Sequence, residues 1–298
     1  MSKGILYMLL SSISFAFVNL LVKILSDKNN LFPTIQNYPE FELVFFRCVV
    51  SLILCIAIIK RKKIPFFGNN KKWLLIRGFA GATGLTLFFF TLANLPMAIA
   101  TVIQYMSPVF TIIFAIYLNN QKVNKIQWLF FFIAMIGVFI IGYGKGGEME
   151  FDPFWILIGL TSALFSGIAY NAIIKCKNTD APITVVMYFP LVAAPITFAL
   201  MVLTNFIIPK GVEWLLLISI GVLTQIAQVC MTRAFNSESA SKVTPIKYIG
   251  AIYAVLIGFF VFDENLSFFA SIGISLILLG VLLNTFFSNL KIKRRSNF

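Results

Sequence analysis

The sequence predicts an all-α integral membrane fold of about ten transmembrane helices, arranged as two inverted five-helix repeats. Three observations lead there: an apolar composition, apolar runs of spanning length, and a spaced recurrence of polar residues. Of 298 residues, 59% are hydrophobic and 12% charged, and the mean hydropathy is +0.92. A soluble domain carries about 25% charged residues and cannot hide this much apolar surface. The net charge of +13 would suggest nucleic acid in a soluble protein. Here the basic residues cluster in short loops between apolar runs, so the positive-inside rule accounts for them and no nucleic-acid partner is implied.

A spanning helix needs about 20 mainly apolar residues. Runs that qualify lie at 4–25, 41–59, 73–92, 96–118, 126–143, 153–174, 183–205, 213–233, 242–262 and 268–288. The first lacks an Ala-x-Ala exit site and reads as a membrane helix, not a cleaved signal. In "ANLP" (93–96) a proline starts the fourth helix. "GKGGEMEFDP" (144–153) is glycine-rich and acidic, and it divides the chain nearly in half. The repeats are therefore expected over 1–146 and 147–298. Pro108, Pro190, Pro195 and Pro245 fall in or at the start of helices. They are either kinks or breaks that free carbonyls toward a cavity.

With the N-terminus in the cytoplasm, the inside loops and termini hold 15 Lys and Arg and the outside loops hold 3. Both termini are expected to be cytoplasmic, in a multi-pass protein of the inner membrane with an even number of spans. A shift of 143 residues lays Thr101, Ile103 and Tyr105 on Thr244, Ile246 and Tyr248, and Gln104 on Lys247. Gly137 and Val138 fall on Gly280 and Val281. A shift of 152 lays Asn19 and Lys23 on Asn171 and Lys175. Five helices is an odd number, so the second half is inverted relative to the first. In that plan the substrate site lies near the midplane, between the halves.

"RG" at 77–78, "TLANLPMAIATVIQYMSPVF" at 91–110 and "RAFNSESASKVTPIKYIGAIYAVLIGFFVFDE" at 233–264 carry a resemblance. The two halves resemble the EamA domain of the drug/metabolite transporter superfamily over nearly the whole chain. Asp263–Glu264 fits the family's Leu/Phe-Gly-Glu helix ending, whereas Gln121 stands where the first half usually has Glu. "FxxxFFR" at 41–47 followed by "RG" is similar to the subgroup of bacterial S-adenosylmethionine uptake carriers. The resemblance implies a transporter fold. Members carry amino acids, nucleotide derivatives, sugars and vitamins, so it implies no particular substrate.

A charge at the bilayer centre costs roughly 2.5–3.5 kcal/mol and should face a cavity or a partner. Arg47, in "EFELVFFRCVV", is either a cavity residue or a member of an ion pair. Lys247 either faces the cavity or snorkels to the cytoplasmic side. Arg77 and Arg233 lie near helix ends and read as anchors. Asn19 and Lys23 share one face of the first helix, and Asn171 and Lys175 one face of the sixth. The lysines lie near helix ends, where lysine is ordinary. Gln104, Tyr105, Tyr248, Gln225 and Gln228 are uncharged, and either line a cavity or join helices by hydrogen bonds. Gly78, Gly81 and Gly84 read as a close helix contact. The two tyrosines are expected to touch substrate directly, because a phenol offers a ring face and a hydroxyl without burying charge.

There is no histidine, no metal-ligand spacing and no nucleophile–base constellation, so no metal, cofactor or enzymatic activity is expected. Cys48 and Cys55 are seven residues apart on one helix, roughly 10 Å along its axis and too far for a disulfide. Glu42 is the one plausible intramembrane acid, near its helix end. The buried charges are mainly positive. The expectation is a secondary transporter for a small anionic or zwitterionic organic solute, with the lipid bilayer as its other partner. It would be a monomer or homodimer. An exporter of amino acids or related metabolites is the alternative, and a non-transporting scaffold would not need a deep arginine.

Overall fold

The computed structural model describes residues 3–27, 31–119, 125–142, 151–203, 206–238 and 246–295. Gln121, Lys145, Pro245 and most of the 144–153 linker lie outside them. Among the described residues every regular element is a helix. In chain order these are α1 (Lys3–Leu25), α2 (Glu40–Lys62), α3 (Lys71–Asn94), α4 (Met97–Gln104), α5 (Ser107–Asn119) and α6 (Lys125–Gly142). Then come α7 (Pro153–Cys176), α8 (Pro182–Val202), α9 (Val212–Ser237), α10 (Ile249–Phe262) and α11 (Phe268–Arg295). Among the described residues seven segments are long and apolar enough to cross a membrane, with α4 and α5 together forming one. Shorter apolar stretches of α6, α10 and α11 bring the helical segments to about ten. The chain is a multi-pass membrane protein.

The fourth span was expected to be a single helix over 96–118, and it is broken. α4 ends at Gln104 and α5 starts at Ser107. Pro108 is the physical reason, since its ring clashes with the carbonyl four residues back and it has no N–H to donate. Tyr105 fills the joint at φ −73° and ψ −1°. Tyr248, at the start of α10, has φ −70° and ψ −12°. The two tyrosines that share a sequence register therefore share a backbone conformation. Pro190 and Pro195, by contrast, lie within an α8 that continues past both.

Helices from opposite halves of the chain pack on one another: α1 on α9, α3 on α7, α2 on α8, α6 on α11, and α4 on α10. Exchanging the halves turns the first of these pairs into the second, and the α2–α8 and α6–α11 pairs each into itself. Loops are tied across the halves by carboxylates. Glu213 accepts from the backbone N–H and side-chain Nε2 of Gln36, from Tyr38 Oη and from Lys210 N. Burial, then the hydrogen bond to Glu213, push the Tyr38 phenol above its ordinary pKa. Near the opposite ends of α2 and α7, Asp180 accepts from the N–H groups of Asn69 and Asn70.

A clasp joins the halves where α1 ends. Lys23 Nζ lies 3.3 Å from Glu264 Oε1 and donates to the carbonyls of Leu92 and Leu95 at 3.1 and 2.7 Å. Glu264 Oε2 accepts from Met97 N, the first residue of α4 (2.7 Å). The lysine thus satisfies orphan carbonyls at the end of α3, and the glutamate an orphan N–H at the start of α4.

A candidate solute site lined by three cations

A cavity of about 120 Å³ lies among α1, α2, α3, α4, α7, α8, α9 and the start of α10. Among the described residues its charged lining is Arg47, Arg77 and Lys247, with no Asp or Glu. Of the nine residues singled out in the sequence, six line it: Asn19, Arg47, Gln104, Tyr105, Gln228 and Lys247.

Arg47 is the eighth residue of α2 and only 2% exposed. Its guanidinium carbon lies 5.4 Å from the Phe89 ring centre and 5.6 Å from that of Phe189. Among the described residues it has no carboxylate partner, and its buried Nε lacks an acceptor. The ion-pair alternative is thus absent there. Glu42 instead faces the backbone N–H of Ile207 and does not line the cavity.

Arg77 departs from its expected place at a helix end. It is buried, its guanidinium carbon lies 5.4 Å from the same Phe189 ring, and Nη2 donates to Gln228 Oε1 (3.2 Å). Its Nε also lacks an acceptor among the described residues. The cause is one turn further along α3, where a Cβ on Gly81 would meet Arg77 Nη1 and the Phe189 ring. The missing side chain is what lets the guanidinium fold inward. Gly78 and Gly84 do mark close helix contacts, against α8 and α7. Arg233 stays at an exposed helix end, over the Tyr7 ring.

Lys247 points into the protein, so snorkelling does not describe it. Its Nζ donates to Tyr170 Oη (2.6 Å) and lies 4.5 Å from the Tyr170 ring centre and 5.9 Å from that of Tyr105. Tyr105 meets Tyr248 edge to face at 5.2 Å and 82°. Its hydroxyl occupies the space that a Cβ on Gly250 would take. Tyr105 lines the cavity, whereas Tyr248 stands behind it and off the lining.

The amides divide. Both polar atoms of Gln104 are engaged by α7: Nε2 donates to Ser166 Oγ (2.8 Å), and Oε1 accepts from Ser162 Oγ (2.9 Å). Gln104 is therefore a braced wall residue. Asn19 lines the cavity, but Asn171 does not; its Nδ2 donates to the carbonyls of Thr111 and Gly167. Gln225 is also off the lining and accepts from Ser51 Oγ across the α2–α9 contact. The mirrored asparagines thus have different surroundings. Sequence reasoning passed over Tyr170, Phe189, Ser12 and Thr101. Ser12 and Thr101 line the cavity, while their hydroxyl oxygens are buried and without a partner among the described residues.

The family model described as "EamA-like transporter family" matches residues 2–143 and 153–286. A pseudopaline exporter of Pseudomonas aeruginosa is 31% identical over 255 residues, covering 85% of each chain. An S-adenosylmethionine uptake transporter of Rickettsia felis is 23% identical over 229 residues, covering 76% of each. A solved crystal structure matches 97% of this chain and 98% of its own at a TM-score of 0.67 and 16% identity, a likeness of fold.

Proposed function

The chain belongs to the EamA-like transporter family, and from that premise we propose a secondary transporter moving a small anionic or zwitterionic organic metabolite across the cytoplasmic membrane by alternating access. The observation that carries this is the lining of the cavity, which among the described residues holds three cations and no carboxylate. Each buried cation costs roughly 2.5–3.5 kcal/mol by insertion scales. Cation–π contacts offset roughly 0.5–2 kcal/mol apiece. An anionic solute would supply the countercharge that these cations lack among the described residues. Arg47 and Arg77 offer planar guanidiniums suited to a carboxylate or phosphate. Tyr105 offers a ring face, and Gln104 braces the wall.

The two halves, 1–146 and 147–298, would act as inverted repeats that rock about this cavity. The cross-half helix pairs and the matched conformations of Tyr105 and Tyr248 support that plan. The Lys23–Glu264 clasp would hold one end of the path closed, and opening that end would require its release. Both termini would be cytoplasmic. An exporter of the same fold is a second reading, favoured by the exporter at 31% identity.

The test is a melting-temperature screen of purified protein against anionic, zwitterionic, neutral and cationic metabolites. A ligand that binds only the folded state raises apparent stability. Anionic or zwitterionic solutes should stabilise wild type, and Arg47→Ala should lose both the shift and transport in proteoliposomes while melting near wild type. Stabilisation by cations alone would contradict this function. Uptake into inside-out and right-side-out vesicles separates export from import.

A further inference from the structure

Resting on the transport function proposed above, we propose that the substrate carries two separate anionic groups. Arg47 and Arg77 take one against Phe189, and Lys247 takes the other beside Tyr170. The three cations fall into two environments. Arg47 and Arg77, from α2 and α3, converge on a single Phe189 ring at 5.6 and 5.4 Å. Neither has a carboxylate among the described residues, and each keeps a buried Nε without an acceptor. Two forks around one ring make a site for a planar oxyanion bound through several N–H donors. Lys247 is boxed instead by the Tyr170 and Tyr105 rings, with Tyr170 Oη as its one hydrogen-bond acceptor among the described residues. An ammonium has three donors, so two remain for a ligand.

Charge balance points the same way. One carboxylate in the cavity leaves two cations uncompensated, and a second anionic group leaves one. A zwitterion brings an ammonium of its own, and among the described residues no lining carboxylate is there to receive it. That ammonium would enter a field set by three like charges, so net dianions should be preferred over zwitterions with one carboxylate. The volume, about 120 Å³, suits a compact solute. It is well below the roughly 300–1,000 Å³ of pockets for drug-sized ligands. The chemistry shared by possible substrates is a pair of carboxylate or phosphate groups on a short carbon skeleton.

The experiment compares four probes of similar length on purified wild type by calorimetric titration: butyrate, 4-aminobutyrate, succinate and 3-phosphonopropionate. Succinate or the phosphonate should bind at least about tenfold tighter than butyrate, the monoanion, or 4-aminobutyrate, the zwitterion. A preference for the phosphonate would identify phosphate as the second group, and a preference for succinate a second carboxylate. Lys247→Gln should reduce that selectivity severalfold, and Lys247→Arg should restore most of it. The wild-type selectivity stands on its own if Lys247→Gln fails to fold. Equal binding of butyrate, 4-aminobutyrate and succinate would overturn the two-anion site and leave a carrier of monoanions or zwitterions. No binding of either dianion would also overturn it, and transport of another solute class in the same preparation would leave the carrier function standing.

Discussion

Arg47 is held by two aromatic faces and has no acid partner among the described residues, and in the proposed function it binds the anionic solute. Replacing it with lysine keeps the charge but loses the planar fork, so Arg47→Lys should transport poorly. The tyrosines make a sharper comparison. Tyr105 lines the cavity with its hydroxyl beside Gly250, whereas Tyr248 meets it only edge-on from behind. Tyr105→Phe should weaken solute binding by roughly 0.5–1.5 kcal/mol, the worth of one hydrogen bond, and Tyr248→Phe by less. Titration of both variants decides this, and equal losses would mean that the hydroxyls have equal access. Arg47 was legible in the sequence because an arginine amid apolar residues has few innocent explanations. Arg77 was not, because its position near a helix start resembled an anchor. What draws it inward is Gly81 together with Phe189 on α8, a partner far along the chain. Tyr170 was missed for the same reason: it becomes functional only when Lys247 is folded against it.

Among the elements, the clasp at the end of α1 concentrates the stability that a single charge can control. Glu264 pairs with Lys23 and receives Met97 N, with both side chains largely buried. Glu264→Gln keeps an acceptor for the N–H but removes the charge. It should cost about 1.5–3 kcal/mol, the range for hydrogen bonds to charged groups. That would be read as a lower melting temperature with the solute affinity of the cavity kept. An unchanged melting temperature would mean that the two carbonyls suffice for Lys23. Helix boundaries were legible where hydropathy sets them, as in α1, α2 and α7. The break at Tyr105 was less so. Pro108 announced a defect, but a proline in an apolar run can also only bend a helix, as Pro190 and Pro195 in α8 show by leaving it continuous.

For the molecule as a whole, hydropathy made the number of helices readable, because spanning length is a local property. Which helices touch was not readable, because periodicity says little when lipid and protein interior are equally apolar. Orientation rests on the lysine and arginine bias. A periplasm-active reporter fused after residue 148 should give signal, and one fused after residue 66 or 298 should give none. Signal at 298 would mean an odd number of spans and would defeat the inverted plan. The central claim is that the three lining cations bind the solute. Its most direct measurement is the affinity of the Arg47→Gln, Arg77→Gln, Lys247→Gln triple variant for the solute that the stability screen identifies. The control neutralises an equal number of exposed charges at the end of α2, as Lys60→Gln, Arg61→Gln and Lys62→Gln. Loss of binding in the first, with wild-type binding in the second, is the predicted result. A folded cavity variant that still binds the solute with wild-type affinity would contradict it.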